Sequence, residues 1–406
     1  MTLPTQLATA AIFALTYAGV ALGRIPGLRL DRAGVALTGA ALMLAVGALS
    51  PQEAYQAIDL DTIVLLTGMM IVVAHLKLSG FFRLVAGWAL TRAHSPRLLL
   101  AAVVITAGAF SAFLVNDAVC LVMAPLVIEV TRALRREPLP YLLALAMAAN
   151  VGSTATITGN PQNMIIGAIS QIPYTAFAAA LAPVATVGLL LVVLVISFAC
   201  RAELGDKARL TAAAPPARVH RPQMIKAVVV TLGVVGLFFA GVPVAKAAIL
   251  GGALLLVTRA IKARKVYREI DGALLLMFAG LFVVVAGAEK VLLGPEVLAA
   301  ARDLRLTDSF VLTGITAVLS NIISNVPAVL ALKPFVSGLA DPTRTWLVIA
   351  MSSTLAGNLT LVGSVANLIV AERARAAGIH ISFWAYCRAG IPLTLLTLAL
   401  GAWWLS

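Results

Sequence analysis

Charge is scarce in this chain, and acidic charge scarcest. Asp, Glu, Lys and Arg make up 12% of 406 residues, with 17 acids against 30 bases. Soluble domains carry about twice that share of charge, so no water-facing surface can be built here and a soluble globule is excluded. Aromatic residues are only 6%, and the basic residues that give the formal charge of +13 sit in short loops between apolar runs. Nucleic acid as a partner is excluded with them, because no basic, aromatic-interleaved segment exists. Cys120, Cys200 and Cys387 lie in or beside apolar runs at no metal-ligand spacing, which leaves them a packing role and implies no disulfide framework. The four histidines, His75, His94, His220 and His380, fall at or outside cytoplasmic interfaces. With no His-Glu-x-x-His and no Gly-x-Ser-x-Gly, neither a protein metal site nor a cofactor is expected, and an intramembrane hydrolase would lack its acid–base set.

Apolar sequence is what the chain has instead: 61% hydrophobic residues and a mean hydropathy of +1.01. The runs are long and continuous rather than alternating, which predicts an all-α polytopic membrane protein and not a barrel. Ten spans are expected, at about 6–23, 33–50, 59–76, 140–172, 176–200, 225–241, 245–261, 270–288, 345–370 and 385–405. Residues 1–23 lack the basic start of a signal peptide and read as a retained first span. Two further apolar pieces, 98–131 and 309–340, are too short for two crossings at 1.5 Å per residue. They are expected to be re-entrant helical hairpins. Residues 79–93, with Phe81, Phe82 and Trp88, read as an interfacial helix on the inner leaflet.

Much of the chain is written twice. Phe110 to Ala118 aligns without gaps on Leu319 to Pro327, pairing Asn116 with Asn325. Asn150 to Gly159 falls on Thr354 to Gly363, and Asn163 then falls on Asn367. Ala57-Ile58-Asp59 matches Glu269-Ile270-Asp271 at one offset that also pairs Tyr55 with Tyr267. A first repeat of five spans is expected over 1–200, a cytoplasmic linker over 201–224 and a second repeat over 225–406. Five crossings is an odd number, so the second copy sits upside down: an inverted repeat, with the hairpins entering from opposite sides. Most basic residues fall on the cytoplasmic side if both termini lie outside, leaving only Lys246, Lys290, Arg302, Arg305, Lys333 and Arg344 outside.

Polar clusters in such runs mark helix breaks, because unpaired backbone is tolerated at membrane depth only against protein or a water-filled cavity. Pro161 removes a donor and Gly159 permits an unwound turn, so the span at 140–172 is expected to break, and its counterpart near Gly357–Ser364 likewise. Four half-helix N-termini, following Asn116, Asn325, Gly159 and Gly363, should then point inward and suit an electron-rich solute. Half-helix C-termini and side-chain oxygens would suit Na⁺ near Asn116 and Asn325. The candidate site residues are Asn116, Asp117, Ser153, Thr154, Thr156, Thr158, Asn160 and Asn163 in the first half. In the second they are Ser324, Asn325, Asn358, Thr360, Ser364 and Asn367. Helix glue and back-bonding explain any one of these equally well, but not the repetition of the whole set. Asp117 is an acid inside an apolar hairpin with Val326 as its counterpart, which marks it for H⁺ or cation coupling, ahead of a capping role.

Phe113-Leu114-Val115-Asn116-Asp117-Ala118 followed by Pro125 resembles the first hairpin of the arsenical pump branch of the ion-transporter superfamily. Asn150-Val151-Gly152-Ser153-Thr154-Ala155-Thr156 with Gly159-Asn160-Pro161-Gln162-Asn163 is similar to a signature shared with citrate transporter-like permeases and divalent anion:sodium symporters. The resemblance spans nearly the whole chain. It implies a secondary active transporter of a small anion or oxyanion in the cell membrane, coupled to H⁺ or Na⁺, with one domain moving like an elevator and a homodimer as the assembly. Arsenite or antimonite efflux and Na⁺/H⁺ antiport are the alternatives. The hairpin tips read Val115-Asn116-Asp117 and Ser324-Asn325-Val326, where the dicarboxylate symporters have Ser-Asn-Thr.

Overall fold

A computed structural model describes residues 3–22, 30–92, 94–205, 219–257, 261–292, 305–336 and 338–406. These residues form helices and connecting turns without strands. The first half runs α1 (Leu3–Leu22), α2 (Arg32–Ala45), α3 (Pro51–Ala57), α4 (Leu60–Ser79) and α5 (Phe81–Arg92), then the pair α6 (Pro96–Phe113) and α7 (Asn116–Ala133). It continues with α8 (Pro138–Ser153), a 3-10 turn at Ile157–Gly159, α9 (Pro161–Ser170) and α10 (Tyr174–Ala199). After the short α11 (Arg201–Leu204), the second half repeats the order as α12 (Arg221–Phe239), α13 (Val244–Leu256), α14 (Ala263–Tyr267) and α15 (Gly272–Leu292). Its hairpin is α16 (Ser309–Ile323) with α17 (Asn325–Val336), its interrupted span α18 (Pro342–Ala356) with α19 (Val365–Ala376), and its last helix α20 (Phe383–Trp404). Most of the expected linker, residues 206–218, lies outside the described residues, as does Arg302.

Local chemistry sets the helix starts. Asp31, Asp59, Ser95, Asp308, Asp341 and Ser382 each accept a backbone N–H in the first turn of the helix that follows. Among the described residues, seven helices are long and apolar enough to cross a membrane. The expected spans at 33–50 and 245–261 are shorter than the sequence suggested: α2 has 14 residues and α13 has 13. Gly47, at φ +70, turns the chain out of α2, and the apolar residues that follow belong to a turn and to α3.

The two hairpins enter from opposite ends. At the start of α6, Arg97 Nε donates to the Leu204 carbonyl at 3.3 Å, and at the end of α7 Arg136 Nε pairs with Glu203 Oε1 at 2.7 Å. At the start of α16, Ser309 Oγ donates to the Leu405 carbonyl at 3.0 Å, next to Trp404, whose Nε1 donates to the Ala180 carbonyl at 2.9 Å near the start of α10. Glu203 therefore marks one end of α10, and Ala180 the other. Each hairpin goes in and returns at its own end, and their tips meet inside.

Two groups of helices surround that meeting point. A core holds α6–α10 and α16–α20, and a scaffold holds α1, α2, α4, α12, α13 and α15. Within the scaffold the halves interlock: α2 packs on α15 and α4 on α13. Both crossings rest on glycine at the same place in the repeat. A Cβ on Gly68 would stand 2.5 Å from the Ala248 carbonyl carbon, and one on Gly280 would stand 2.7 Å from that of Ala36. Gly68→Val or Gly280→Val should force the paired helices apart and lower stability by about 1–3 kcal/mol or more, read as a drop in thermal midpoint in detergent.

Two details differ from expectation. α5 is not only an interfacial helix, because Phe82 is 2% exposed and both Phe81 and Phe82 pack against Phe110 of the first hairpin. His75, near the end of α4, is buried against protein rather than exposed, with Nδ1 2.9 Å from the Ile71 carbonyl.

Candidate functional site

Four helices begin at one small cavity. Asn116 opens α7, Pro161 opens α9, Asn325 opens α17 and Val365 opens α19, and all four residues line a space of about 40 Å³ between core and scaffold. Free N–H groups and the positive ends of four helix dipoles are thereby gathered on one spot, which favours negative charge there. The scaffold wall is Val20, Arg32, Leu274, Met277 and Phe278. Arg32 and Asp117 are the charged residues of the lining, one from each group of helices. Each is within electrostatic reach of the other, and Asp271, at the start of α15, adds a second acid near Asp117.

The tips are built differently. At the first tip Val115 holds the N-cap position without a side-chain cap, and Asn116 Oδ1 accepts from the adjacent Asp117 N–H at 2.9 Å, meeting one open donor of the limb. The second tip holds Ser324 at φ +76, a conformation that L side chains rarely adopt. Such a residue costs of order 1–3 kcal/mol and persists where its surroundings over-determine it. Asn325 Oδ1 is buried and accepts no hydrogen bond from the described residues. Across the group boundary, Tyr17 of α1, 4% exposed, donates from its hydroxyl to the Pro327 carbonyl at 3.2 Å, tying scaffold to second hairpin.

Behind the cavity lies a buried amide network that obeys the repeat. Asn163 Nδ2 donates to the carbonyls of Ser153 (3.1 Å) and Thr156 (3.0 Å), and Asn367 Nδ2 donates to those of Gly357 (2.7 Å) and Thr360 (3.2 Å). Each asparagine thus closes the unwound loop before its own half-helix, satisfying carbonyls that the helix break orphans. Asn150 and Thr354, equivalent positions, reach across. Asn150 Nδ2 donates to Asn358 Oδ1 (2.9 Å) and Asn367 Oδ1 (3.0 Å), while its Oδ1 accepts from Asn116 Nδ2 (3.1 Å) and Ser364 Oγ (3.0 Å). Thr354 Oγ1 accepts from Asn160 Nδ2 at 3.2 Å and Gln162 Nε2 at 3.1 Å. The two breaks are cross-braced into one rigid unit.

Of the residues singled out from sequence, Asn116, Asp117, Ser324, Asn325 and Ser364 line the cavity. Asn160, Asn163, Ser153, Asn358 and Asn367 sit in the network behind it. Thr154 back-bonds to the Asn150 carbonyl, Thr360 contributes its carbonyl to Asn367, and Thr156 donates to the Ala112 carbonyl. Thr158 turns to the Tyr174 hydroxyl at 2.9 Å. Arg32, Gln162 and Thr354 were missed. Arg32 was counted with loop charge, but Asp31 caps α2 through the Gly34 N–H at 2.8 Å, and that start places Arg32 on the first turn of a scaffold helix. Arg32 thereby adds a basic side chain to the cavity beside the four helix starts.

Comparison with known proteins bears on the whole chain. Residues 17–347 match the sequence profile of a family described as citrate transporter. A 46 kDa membrane protein of Mycobacterium leprae is 31% identical over 96% of this chain and 95% of its own length. Silicon efflux transporter LSI3 of Oryza sativa subsp. japonica is also 31% identical, over 93% of each chain. Among solved structures, the YdaH transporter of Alcanivorax borkumensis superposes with a TM-score of 0.59 at 15% identity, covering 100% of this chain and 97% of that one, which is a likeness of fold.

Proposed function

This chain belongs to the citrate transporter family, and on that premise we propose that it moves a small oxyanion or oxyacid by secondary active transport, binding it where four half-helices and Arg32 meet. It is a membrane transporter. The observation that carries the substrate class is the convergence of four helix starts and one guanidinium on a single cavity. Backbone N–H groups and Arg32 stabilise negative oxygen, and Asn116, Gln162 and Ser364 offer hydroxyl and amide partners. A space of about 40 Å³ holds a few waters, so the site in this state suits a solute built on one central atom better than a tricarboxylate. That the rice relative carries the name of a silicon efflux transporter agrees with this size.

Asp117 is the coupling group in this reading. Its charge opposes an anion and attracts H⁺ or Na⁺, and Arg32 across the cavity offsets it when no cation is present. The amide-braced core moves as a unit against the interlocked scaffold, in the cell membrane with both termini outside. In proteoliposomes, silicic acid, arsenite, sulfate and citrate should be assayed under imposed H⁺ and Na⁺ gradients. Gradient-driven movement of one of the first three supports the proposal, and Na⁺/H⁺ exchange without any of the four overturns it. Asp117→Asn should uncouple the solute flux from the gradient. Full gradient-driven flux in that variant would remove Asp117 from the coupling role.

A further inference from the structure

The inverted repeat places a crevice beside each hairpin, and the two crevices differ in charge. Beside the second hairpin lies an apolar space of about 350 Å³ whose charged lining residue is Glu289. Beside the first lies a space of about 430 Å³ lined by Lys77, Arg83 and Arg373 and by no acid. Lys77 and Glu289 occupy equivalent positions of the two repeats, so the change of sign is local to these crevices. Lys77 is paired with Glu269. Arg83 and Arg373 are exposed and make no side-chain hydrogen bond or ion pair among the described residues.

Two unpartnered guanidiniums facing one groove repel each other, and a bound anion would relieve that repulsion. The rest of the wall is apolar: Leu78 and Phe82 on one side, Leu121, Val122 and Leu126 on the other. A free inorganic anion would leave that apolar surface to water or to lipid chains. An anionic headgroup joined to acyl chains satisfies both parts. This end of the molecule also carries the basic cluster of Arg97, Arg132 and Arg136, the charge bias that marks the leaflet richer in anionic lipid.

We propose that the groove between α4–α5 and α7–α19 is a binding site for one anionic phospholipid, its phosphate held by Arg83 and Arg373 and its chains against Leu78, Val122 and Leu126. The lipid bridges Arg83 of α5 and Arg373 of α19 along the apolar face that α7 of the first hairpin presents.

The test is lipid binding to the full-length protein in detergent, followed by native mass spectrometry during titration with phosphatidylglycerol or phosphatidylcholine. Phosphatidylglycerol should bind in preference. Arg83→Gln with Arg373→Gln, both at exposed positions without partners among the described residues, should weaken it by roughly 30-fold, since each cation near a surface contributes about fivefold. Binding should persist in millimolar inorganic phosphate. Equal binding of the two lipids, undiminished phosphatidylglycerol binding in the double variant, or displacement by phosphate alone would each overturn the assignment.

Discussion

Arg32→Gln should reduce the transported flux by about 10- to 100-fold at subsaturating solute while leaving the folded protein intact. The guanidinium is the basic side chain at the cavity, and it comes from the scaffold. A hydrogen bond to a charged group contributes about 1.5–3 kcal/mol, and each 1.4 kcal/mol is tenfold in binding. Glutamine keeps donors and most of the length but removes the charge, so the loss reads charge and not packing. Arg32→Lys should recover part of the flux, because a point charge remains without the planar fork. Asp117→Asn in the Arg32→Gln background should cost less than in the wild type, since the charges act on each other across one cavity. Unaltered flux in Arg32→Gln would show that the helix starts alone recognise the solute.

Asn150→Leu should have the largest effect on stability. Its amide connects Asn116, Ser364, Asn358 and Asn367, members of both hairpin and break, and it is 1% exposed. Leucine leaves Asn116 Nδ2 and Asn367 Oδ1 without the partners they have here, at 4% and 0% exposure. Each unsatisfied buried group costs about 1–3 kcal/mol, and amides in membranes partly find other partners, so a loss of about 2–4 kcal/mol is expected. The thermal midpoint in detergent should fall by more than in Asn163→Ala, which opens one loop only. Asn150→Thr, which copies Thr354 of the other half, should recover part of it. A midpoint unchanged by Asn150→Leu would mean that the two breaks are not braced through this amide.

The tips and breaks were legible because polar side chains stand out where every neighbour is apolar, and because each occurs twice. The convergence of the four helix starts followed from that pattern and from the odd number of crossings per half. Three things were not legible. Arg32 was hidden by counting charge per loop, although Asp31 beside it signals a helix start that places it on a scaffold turn. The brevity of α2 was hidden because hydropathy does not distinguish helix from the apolar turn after Ala45, and that of α13 because its apolar run reads on past Leu256 in sequence. Most of the hydroxyl cluster from Ser153 to Thr158 faces protein: Thr156 and Thr158 bind Ala112 and Tyr174. Composition cannot separate residues that line a cavity from residues that satisfy the backbone behind it, since both need the same oxygens and amides.

The central claim is that a core carrying both tips moves against the scaffold. Tyr17 and Pro327 meet across that boundary, so a bridge between them tests it directly. With Cys120, Cys200 and Cys387 replaced by alanine, Tyr17→Cys and Pro327→Cys should be joined by a reducible bis-methanethiosulfonate linker of about 8 Å, which replaces the reach of the lost tyrosine ring, and assayed for gradient-driven flux of silicic acid and arsenite. Flux should stop when the bridge forms and return when it is reduced. Undiminished flux with the bridge intact would contradict the account.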